Sequence, residues 1–200
     1  VFNWSYECFL EGNKSPQSIA IFHSLIEEVI VGQAIDATLP CKNLTTEKEI
    51  REKNILKTAR YTFRRPIEIG LALSGKVSDK KYSMFGENLG MVFQIDDDLL
   101  DIFGDEKKLH KKTFQDIESK QATLISFYLR NDKTFKSYFG RKLNIKEKEN
   151  LKELIINSGT LEKIESERRD ILTRAEKLAL DFENKEIWLQ FINKITHREK

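Results

Sequence analysis

Residues 90–105 read GMVFQIDDDLLDIFGD, and the middle of this stretch decides the fold. Positions 91–103 contain no Pro or Gly, which predicts a continuous helix. Its apolar residues cover much of the helix circumference rather than one stripe, as in a buried helix. Because an unpaired charge is costly to bury, the acids that interrupt this helix need a partner. These acids are Asp96, Asp97, Asp98 and Asp101.

Three of the aspartates share one face of the predicted helix. Asp97 lies four residues before Asp101 and Asp98 lies three before it, while Gln94 extends the same polar line by one turn. Like charges this close repel one another, and a bound cation relieves the repulsion. Mg²⁺ suits such a site because it needs few protein oxygens: water molecules and substrate phosphates fill its other coordination positions. We therefore expect Asp97, Asp98 and Asp101 to ligate Mg²⁺, with Mn²⁺ as a substitute. The alternatives are a solvated acidic face and an EF-hand, but the EF-hand loop lacks its alternating acids and its glycine.

The segment Phe93–Asp101 resembles the second aspartate-rich motif of the trans-isoprenyl diphosphate synthases, the polyprenyl synthetase family that includes farnesyl and geranylgeranyl diphosphate synthases. The Phe-Gln pair and the apolar spacers match as well, and the resemblance extends over nearly the whole chain. It implies an all-α, antiparallel helical bundle in a single domain, residues 1–200. The family's first aspartate-rich motif is not found in this sequence. We therefore expect the C-terminal part of a longer fold, without its N-terminal helices.

The resemblance also implies an activity. The family joins isopentenyl diphosphate to an allylic diphosphate, with Mg²⁺ assisting ionisation to an allylic cation. We expect a prenyltransferase of short- to medium-chain isoprenoid biosynthesis, a homodimer or heterodimer, of which this chain alone is incomplete. One alternative is a non-catalytic partner subunit of a heteromeric prenyl diphosphate synthase. Another is a class I terpene cyclase, whose second metal motif, with its Asn/Asp, Ser/Thr and Glu spacing, is not found here.

The sequence Gly32-Gln33-Ala34-Ile35-Asp36 near the end of an early helix is similar to a Gly-Gln-x-x-Asp segment of the family. Its Gln33 and Asp36 are three residues apart and share one helix face. They form either a local hydrogen-bonded pair or part of the substrate pocket. The resemblance implies the pocket role.

A second helix carries three more candidate side chains on one side by α-helical spacing, namely Lys57, Thr58 and Tyr61. This segment resembles the family's Lys-Thr helix. It implies that Lys57 binds a diphosphate oxygen, as suits a compact point charge. The backbone near Thr58, the Tyr61 ring and the Gln94 amide would then face the allylic cation. Arg64 and Arg65 are expected to form a solvated helix end.

A basic loop follows the aspartate-rich helix and departs from the family pattern. That pattern is Gly-Lys, then an Asp, then Gly-Lys-x-Thr. In this sequence His110-Lys111 stands at the first Gly-Lys pair, Asp116 at the Asp and Thr123 at the final Thr. The second Gly-Lys pair is replaced by Lys120-Gln121. The resemblance implies that Lys111 and Lys120 bind substrate in a lid that closes over it. The alternative is simple balance of surface charge.

Composition excludes several classes of partner. The 34 basic and 32 acidic residues give a net charge of +2, which does not favour nucleic acid or a membrane surface. Cys8 and Cys41 have no metal-binding or redox spacing and are expected to be buried thiols of a reducing compartment. No apolar run is expected to reach the length of a membrane span. These features predict a soluble, cytoplasmic protein without integral membrane association.

Overall fold

The computed structural model describes residues 2–12, 15–41, 45–76 and 78–196, and these residues are helical with short connections. A short 3₁₀ turn spans Leu39–Cys41, and Ile55–Arg64 form a π-helix. The α-helices are α1 (Phe2–Gly12), α2 (Pro16–Thr38), α3 (Glu47–Asn54), α4 (Arg65–Leu73), α5 (Lys80–Phe103), α6 (Glu106–Leu109), α7 (Gln115–Glu118), α8 (Leu124–Leu129), α9 (Lys133–Tyr138), α10 (Ile145–Asn157), α11 (Thr160–Leu180) and α12 (Lys185–Thr196).

The aspartate-rich helix is the centre of the bundle. α5 packs against the π-helix on one side and against α11 on the other. Its apolar residues Leu89, Val92 and Ile95 are at most 2% exposed. The predicted continuous helix over 91–103 is therefore confirmed, as is the all-α fold.

Capping side chains set the start of several helices. Ser15 caps α2 with Pro16 as its first residue. Thr46 and Glu49 form a capping box at α3, in which each side chain bonds the other's backbone N–H. Asp79 caps α5 by accepting the N–H groups of residues 81 and 82 at 2.7 and 3.2 Å. The start of each of these helices is thus fixed within a few residues of sequence.

Two glycines let the neighbouring helices approach the π-helix closely. A Cβ on Gly90 of α5 would lie 2.3 Å from the Cα of Ala59. A Cβ on Gly32 of α2 would lie 2.6 Å from the backbone nitrogen of Lys57. Both distances are well below van der Waals contact, so only glycine allows these helices to hold the π-helix between them.

Arg64 and Arg65 form ion pairs, contrary to the expected solvated helix end. Arg65 binds Glu28 and Glu68, each through a 2.6 Å contact. Arg64 binds Glu68 at 2.8 Å and Glu87 at 2.6 Å. Because Glu68 is 4% exposed, the network links α2, α4 and α5 inside the bundle.

Two further expectations need correction. Cys8 is exposed rather than buried, whereas the side chain of Cys41 lies outside the described residues.

Within the described ranges, α2 has the length and apolar composition that a membrane span requires, so the expectation that no run reaches this length is wrong. A helix of a soluble bundle can meet the same criteria, and α2 packs against the π-helix and α4.

Candidate active site

A polar cavity of about 320 Å³ lies between α2, α3, the π-helix, α5 and the segment that follows α6. We call it the site cavity. Three carboxylates and three ammonium groups line it, together with neutral polar side chains. The lining residues are Asp36, Lys53, Asn54, Lys57, Thr58, Gln94, Asp98, Lys111, Gln115, Asp116, Ser119, Gln121 and Thr123.

Asp98 is the carboxylate of the aspartate-rich helix that faces the site cavity. It is 6% exposed, and its Oδ1 accepts a hydrogen bond from the Gln94 amide nitrogen at 2.8 Å. Burial raises the pKa of Asp98 to about 7, and the negative charges of Asp116 and Asp97 act in the same direction. The ionised carboxylate is therefore held at a cost that a bound cation would relieve.

Asp101 lies one turn further along α5 and binds backbone instead of lining the cavity. Its two carboxylate oxygens accept the N–H groups of Gln115 and Asp116, each at 3.1 Å. Burial raises the pKa of Asp101, although these two hydrogen bonds oppose the change. Asp101 thus fixes the first turn of α7 and places Asp116 at the cavity. Burial, reinforced by the charge of Asp101, raises the pKa of Asp116 to about 6.

The three predicted metal ligands do not form a ready-made cage. Asp97 is half-buried but is not among the residues that line the cavity. In the part of the chain that the structure describes, no three acid, His or Cys side chains are arranged to hold a metal by themselves. Consecutive helix residues point about 100° apart, so Asp97 projects from α5 in a different direction from Asp98.

Lys57 and Asp36 meet at the cavity, as the resemblance implies. The Lys57 Nζ lies 2.5 Å from Asp36 Oδ2, and Lys53 Nζ lies 3.4 Å from Oδ1 of the same carboxylate. Gln33, although on the same helix as Asp36, is exposed and does not line the cavity. Of the two residues that the resemblance assigns to the substrate pocket, Gln33 and Asp36, only Asp36 therefore lines the cavity.

Thr58 and Gln94 connect the π-helix to α5. The Thr58 hydroxyl donates to Gln94 Oε1 at 2.7 Å, and the Gln94 amide nitrogen donates to Asp98. Tyr61 is 49% exposed and lies outside the cavity. The α-helical spacing that placed Tyr61 beside Thr58 does not apply, because a π-helix advances fewer degrees per residue.

The basic loop brings Lys111 to the cavity but not Lys120. Both His110 (φ 49°) and Lys120 (φ 61°) have left-handed backbone, at the two positions where the family pattern has glycine. The Lys120 side chain packs over Gly140 and lines a different cavity, so its substrate contact stays a prediction that the site cavity does not support. Gln121, the next residue, lines the site cavity instead.

Of the lining residues that the sequence does not assign to the site, Asp116, Gln121 and Lys53 bear most on its chemistry. Asp116 stands at the acid of the loop pattern, and that position is the sequence signal for it. Gln121 stands at the position where the family pattern has its second lysine. That position points to the site even though the residue is not a lysine. Lys53 had a weaker signal: it precedes Lys57 by four residues and so shares its side of the helix.

Comparison with known proteins gives relatives of one kind. The family profile described as polyprenyl synthetase matches residues 1–157. A geranylgeranyl diphosphate synthase from Saccharolobus solfataricus is 36% identical over 122 residues, covering 58% of this chain and 35% of that protein. A farnesyl pyrophosphate synthase from Kluyveromyces lactis is 27% identical over 201 residues, covering 91% and 57%. The chain thus spans about a third to just over half of these relatives.

Solved structures share the fold. A geranylgeranyl pyrophosphate synthase from Corynebacterium glutamicum, complexed with isoprenyl diphosphate and magnesium, has a TM-score of 0.86 at 20% identity, over 99% of this chain and 61% of that one. A geranylgeranyl pyrophosphate synthetase from Pyrococcus horikoshii Ot3 has a TM-score of 0.81 at 24% identity, over 99% and 64%. At these identities the likeness concerns the fold alone.

Proposed function

The chain belongs to the polyprenyl synthetase family, and on that premise we propose that its site cavity serves a prenyltransferase that joins isopentenyl diphosphate to an allylic diphosphate. The observation that carries the proposal is Asp98, a carboxylate only 6% exposed that shares a polar cavity with Lys57 and Lys111. Burial raises the pKa of Asp98 to about 7, which is typical of a functional acid rather than a structural one. A cation and an anionic substrate together would complete this charge arrangement.

Mg²⁺ fits the oxygen donors at this cavity, with Mn²⁺ as a substitute. Mg²⁺ requires only one or two protein carboxylates when water and substrate phosphates fill its remaining positions, so a full protein cage is unnecessary. Asp98 is the ligand best supported by burial, and Asp97 and Asp101 on the same helix turn are the further proposed ligands. The bound ion would neutralise the diphosphate leaving group as the C–O bond breaks.

Two lysines are the proposed diphosphate-binding residues. Lys57 has 38% of its side chain exposed, and Lys111 is an exposed residue of the cavity lining, so both ammonium groups can turn toward an incoming anion. Gln94 is held between Thr58 and Asp98 and orients that carboxylate. Asp36 holds Lys57 in place until a diphosphate competes for it.

The proposed setting is a soluble, cytoplasmic homodimer or heterodimer without a nucleic-acid partner. The nearly balanced charge of 34 basic and 32 acidic residues supports the absence of a nucleic-acid partner.

A second candidate, a non-catalytic subunit of a heteromeric synthase, is favoured by one observation. Gln121 faces the cavity where the family pattern has lysine, while Lys120 points elsewhere.

The test measures pyrophosphate release with Mg²⁺, isopentenyl diphosphate and C5 to C15 allylic diphosphates. The chain is assayed alone and with a complete synthase that an active-site substitution has inactivated. Release that disappears in Asp98→Asn supports the enzyme, and release only in the mixture supports a subunit that completes a shared site. If neither sample releases pyrophosphate and the chain does not bind magnesium pyrophosphate, the proposed function is wrong.

A further inference from the structure

Lys53 of α3 is a buried cation in the wall of the site cavity. It is 7% exposed, whereas Lys57 is partly exposed and Lys111 is exposed. Its ammonium donates to the backbone carbonyl of Ala122 at 2.7 Å and lies 3.4 Å from Asp36 Oδ1. A lysine is seldom buried to this degree unless it is paired, and Lys53 is held by one full charge and one backbone oxygen.

The contacts of Lys53 join opposite walls of the cavity. Asp36 comes from α2, and Ala122 lies between Gln121 and Thr123, both of which line the cavity. The Lys53–Ala122 hydrogen bond therefore fixes the segment that presents the Gln121 side chain. Lys53 also favours the ionised form of Asp98, since its positive charge lowers the pKa that burial raises.

These features give Lys53 a different role from the two exposed lysines. Lys57 and Lys111 can reorient toward a ligand, but Lys53 has no room to turn without losing both partners. Its charge is therefore present whether or not the site is occupied. With three ammonium groups facing three carboxylates, the lining has no excess negative charge to attract a bare divalent ion.

We propose that Lys53 is a positioning residue that makes the site select a metal–diphosphate complex over the bare metal ion. Its fixed positive charge repels an isolated Mg²⁺ or Mn²⁺ but attracts the anionic complex of the metal with diphosphate. It also holds the segment around Ala122 against α3. The inference rests on the proposed function, because it specifies the form in which that site takes its ligand.

The test compares two affinities in the chain and in Lys53→Met, which keeps the length of the apolar stem without the charge. Free Mn²⁺ is measured by electron paramagnetic resonance, and inorganic pyrophosphate with Mg²⁺ by isothermal titration calorimetry. We expect Lys53→Met to bind Mn²⁺ at least threefold more tightly and magnesium pyrophosphate at least tenfold more weakly. Lys53→Arg, which keeps the charge, should stay within about twofold for both. Lys177→Met, an exposed lysine on α11, is the matched control and should change neither affinity.

The outcomes separate the inference from the function on which it rests. If both affinities fall together, or neither changes, Lys53 is only structural and the inference is wrong while the proposed function stands. If the unaltered chain binds no magnesium pyrophosphate, the inference is wrong, and the proposed function is wrong as well if neither sample of the turnover assay releases pyrophosphate. If Lys53→Met does not fold, Lys53→Gln replaces it, because the Gln amide can still donate to the Ala122 carbonyl. Lys53→Gln must then also bind Mn²⁺ more tightly and magnesium pyrophosphate more weakly than the unaltered chain.

Discussion

Replacing Asp98 by Asn should stabilise the fold, because the native carboxylate is ionised at a cost. Burial raises the pKa of Asp98 from 3.8 to about 7. Between these values the folded state holds a proton that the unfolded chain has released, so the free energy of unfolding falls as the pH rises and levels off above about 7. At about 1.4 kcal/mol for each pKa unit, the full penalty is about 4 kcal/mol at pH 8 and about 2 kcal/mol at pH 5.

The assay is urea unfolding of the chain and of Asp98→Asn at pH 5 and pH 8, without divalent ions. The Asn side chain keeps an oxygen that can accept the Gln94 hydrogen bond, so the substitution removes the charge with little change in shape. We expect the variant to be more stable by about 4 kcal/mol at pH 8 and by about half as much at pH 5. Millimolar magnesium pyrophosphate should stabilise the unaltered chain at pH 8 and have less effect on the variant.

An exposed aspartate supplies the control. Asp170→Asn on α11 makes the same chemical change at the surface and should leave the stability within about 0.5 kcal/mol at either pH. If Asp98→Asn is less stable than the unaltered chain at pH 8, the carboxylate is not held at a cost. A stabilisation that is equal at both pH values would also contradict the reasoning, since it would not come from the proton.

Four further substitutions test the packing of the bundle by urea unfolding. Gly90→Ala should destabilise the fold by about 3 kcal/mol or more, because its Cβ would lie 2.3 Å from the Ala59 Cα, and a normal stability would contradict the close approach. Gly70→Ala, in α4 with no atom within 4 Å of its Cβ, should instead stabilise by up to about 1 kcal/mol. Arg65→Ala should cost about 1.5–3 kcal/mol because Glu28 and Glu68 each lose one of two arginine partners, and a loss below about 0.5 kcal/mol would show a solvated arginine. Lys120→Gly should stabilise by about 1 kcal/mol because it relieves left-handed backbone at φ 61°, and an unchanged midpoint would exclude strain there.

The elements that the sequence predicts well are those that depend on nearby residues. The helix over 91–103 follows from its uninterrupted apolar pattern, and the start of α3 follows from Thr46 and Glu49, three residues apart. Lys57 and Asp98 also reach the cavity as the resemblance implies. These features depend on spacing within one turn or on a short motif, and neither requires knowledge of the rest of the bundle.

The features that could not be predicted depend on contacts between distant segments. The π-helix over 55–64 has no pattern of its own in the sequence. It lies where Gly32 and Gly90 allow two helices to approach from different parts of the chain. Its wider winding is what separates Tyr61 from Thr58. In the same way, the carboxylate partners of Arg65 include Glu28, 37 residues away.

In the aspartate-rich helix, the motif predicts the polar face but not which of its acids lines the cavity. Spacings of three and four residues bring Asp97, Asp98 and Asp101 to one broad face, but only Asp98 faces the cavity, because Asp101 is used by the backbone of α7. A site with one buried acid, balanced by fixed and movable lysines, holds little affinity for a metal alone. It gains affinity when diphosphate brings its own oxygens to complete the metal shell. The cost of ionising Asp98 is therefore a requirement of the proposed chemistry: a carboxylate satisfied entirely by the protein would have no free energy left to gain from the metal and its substrate.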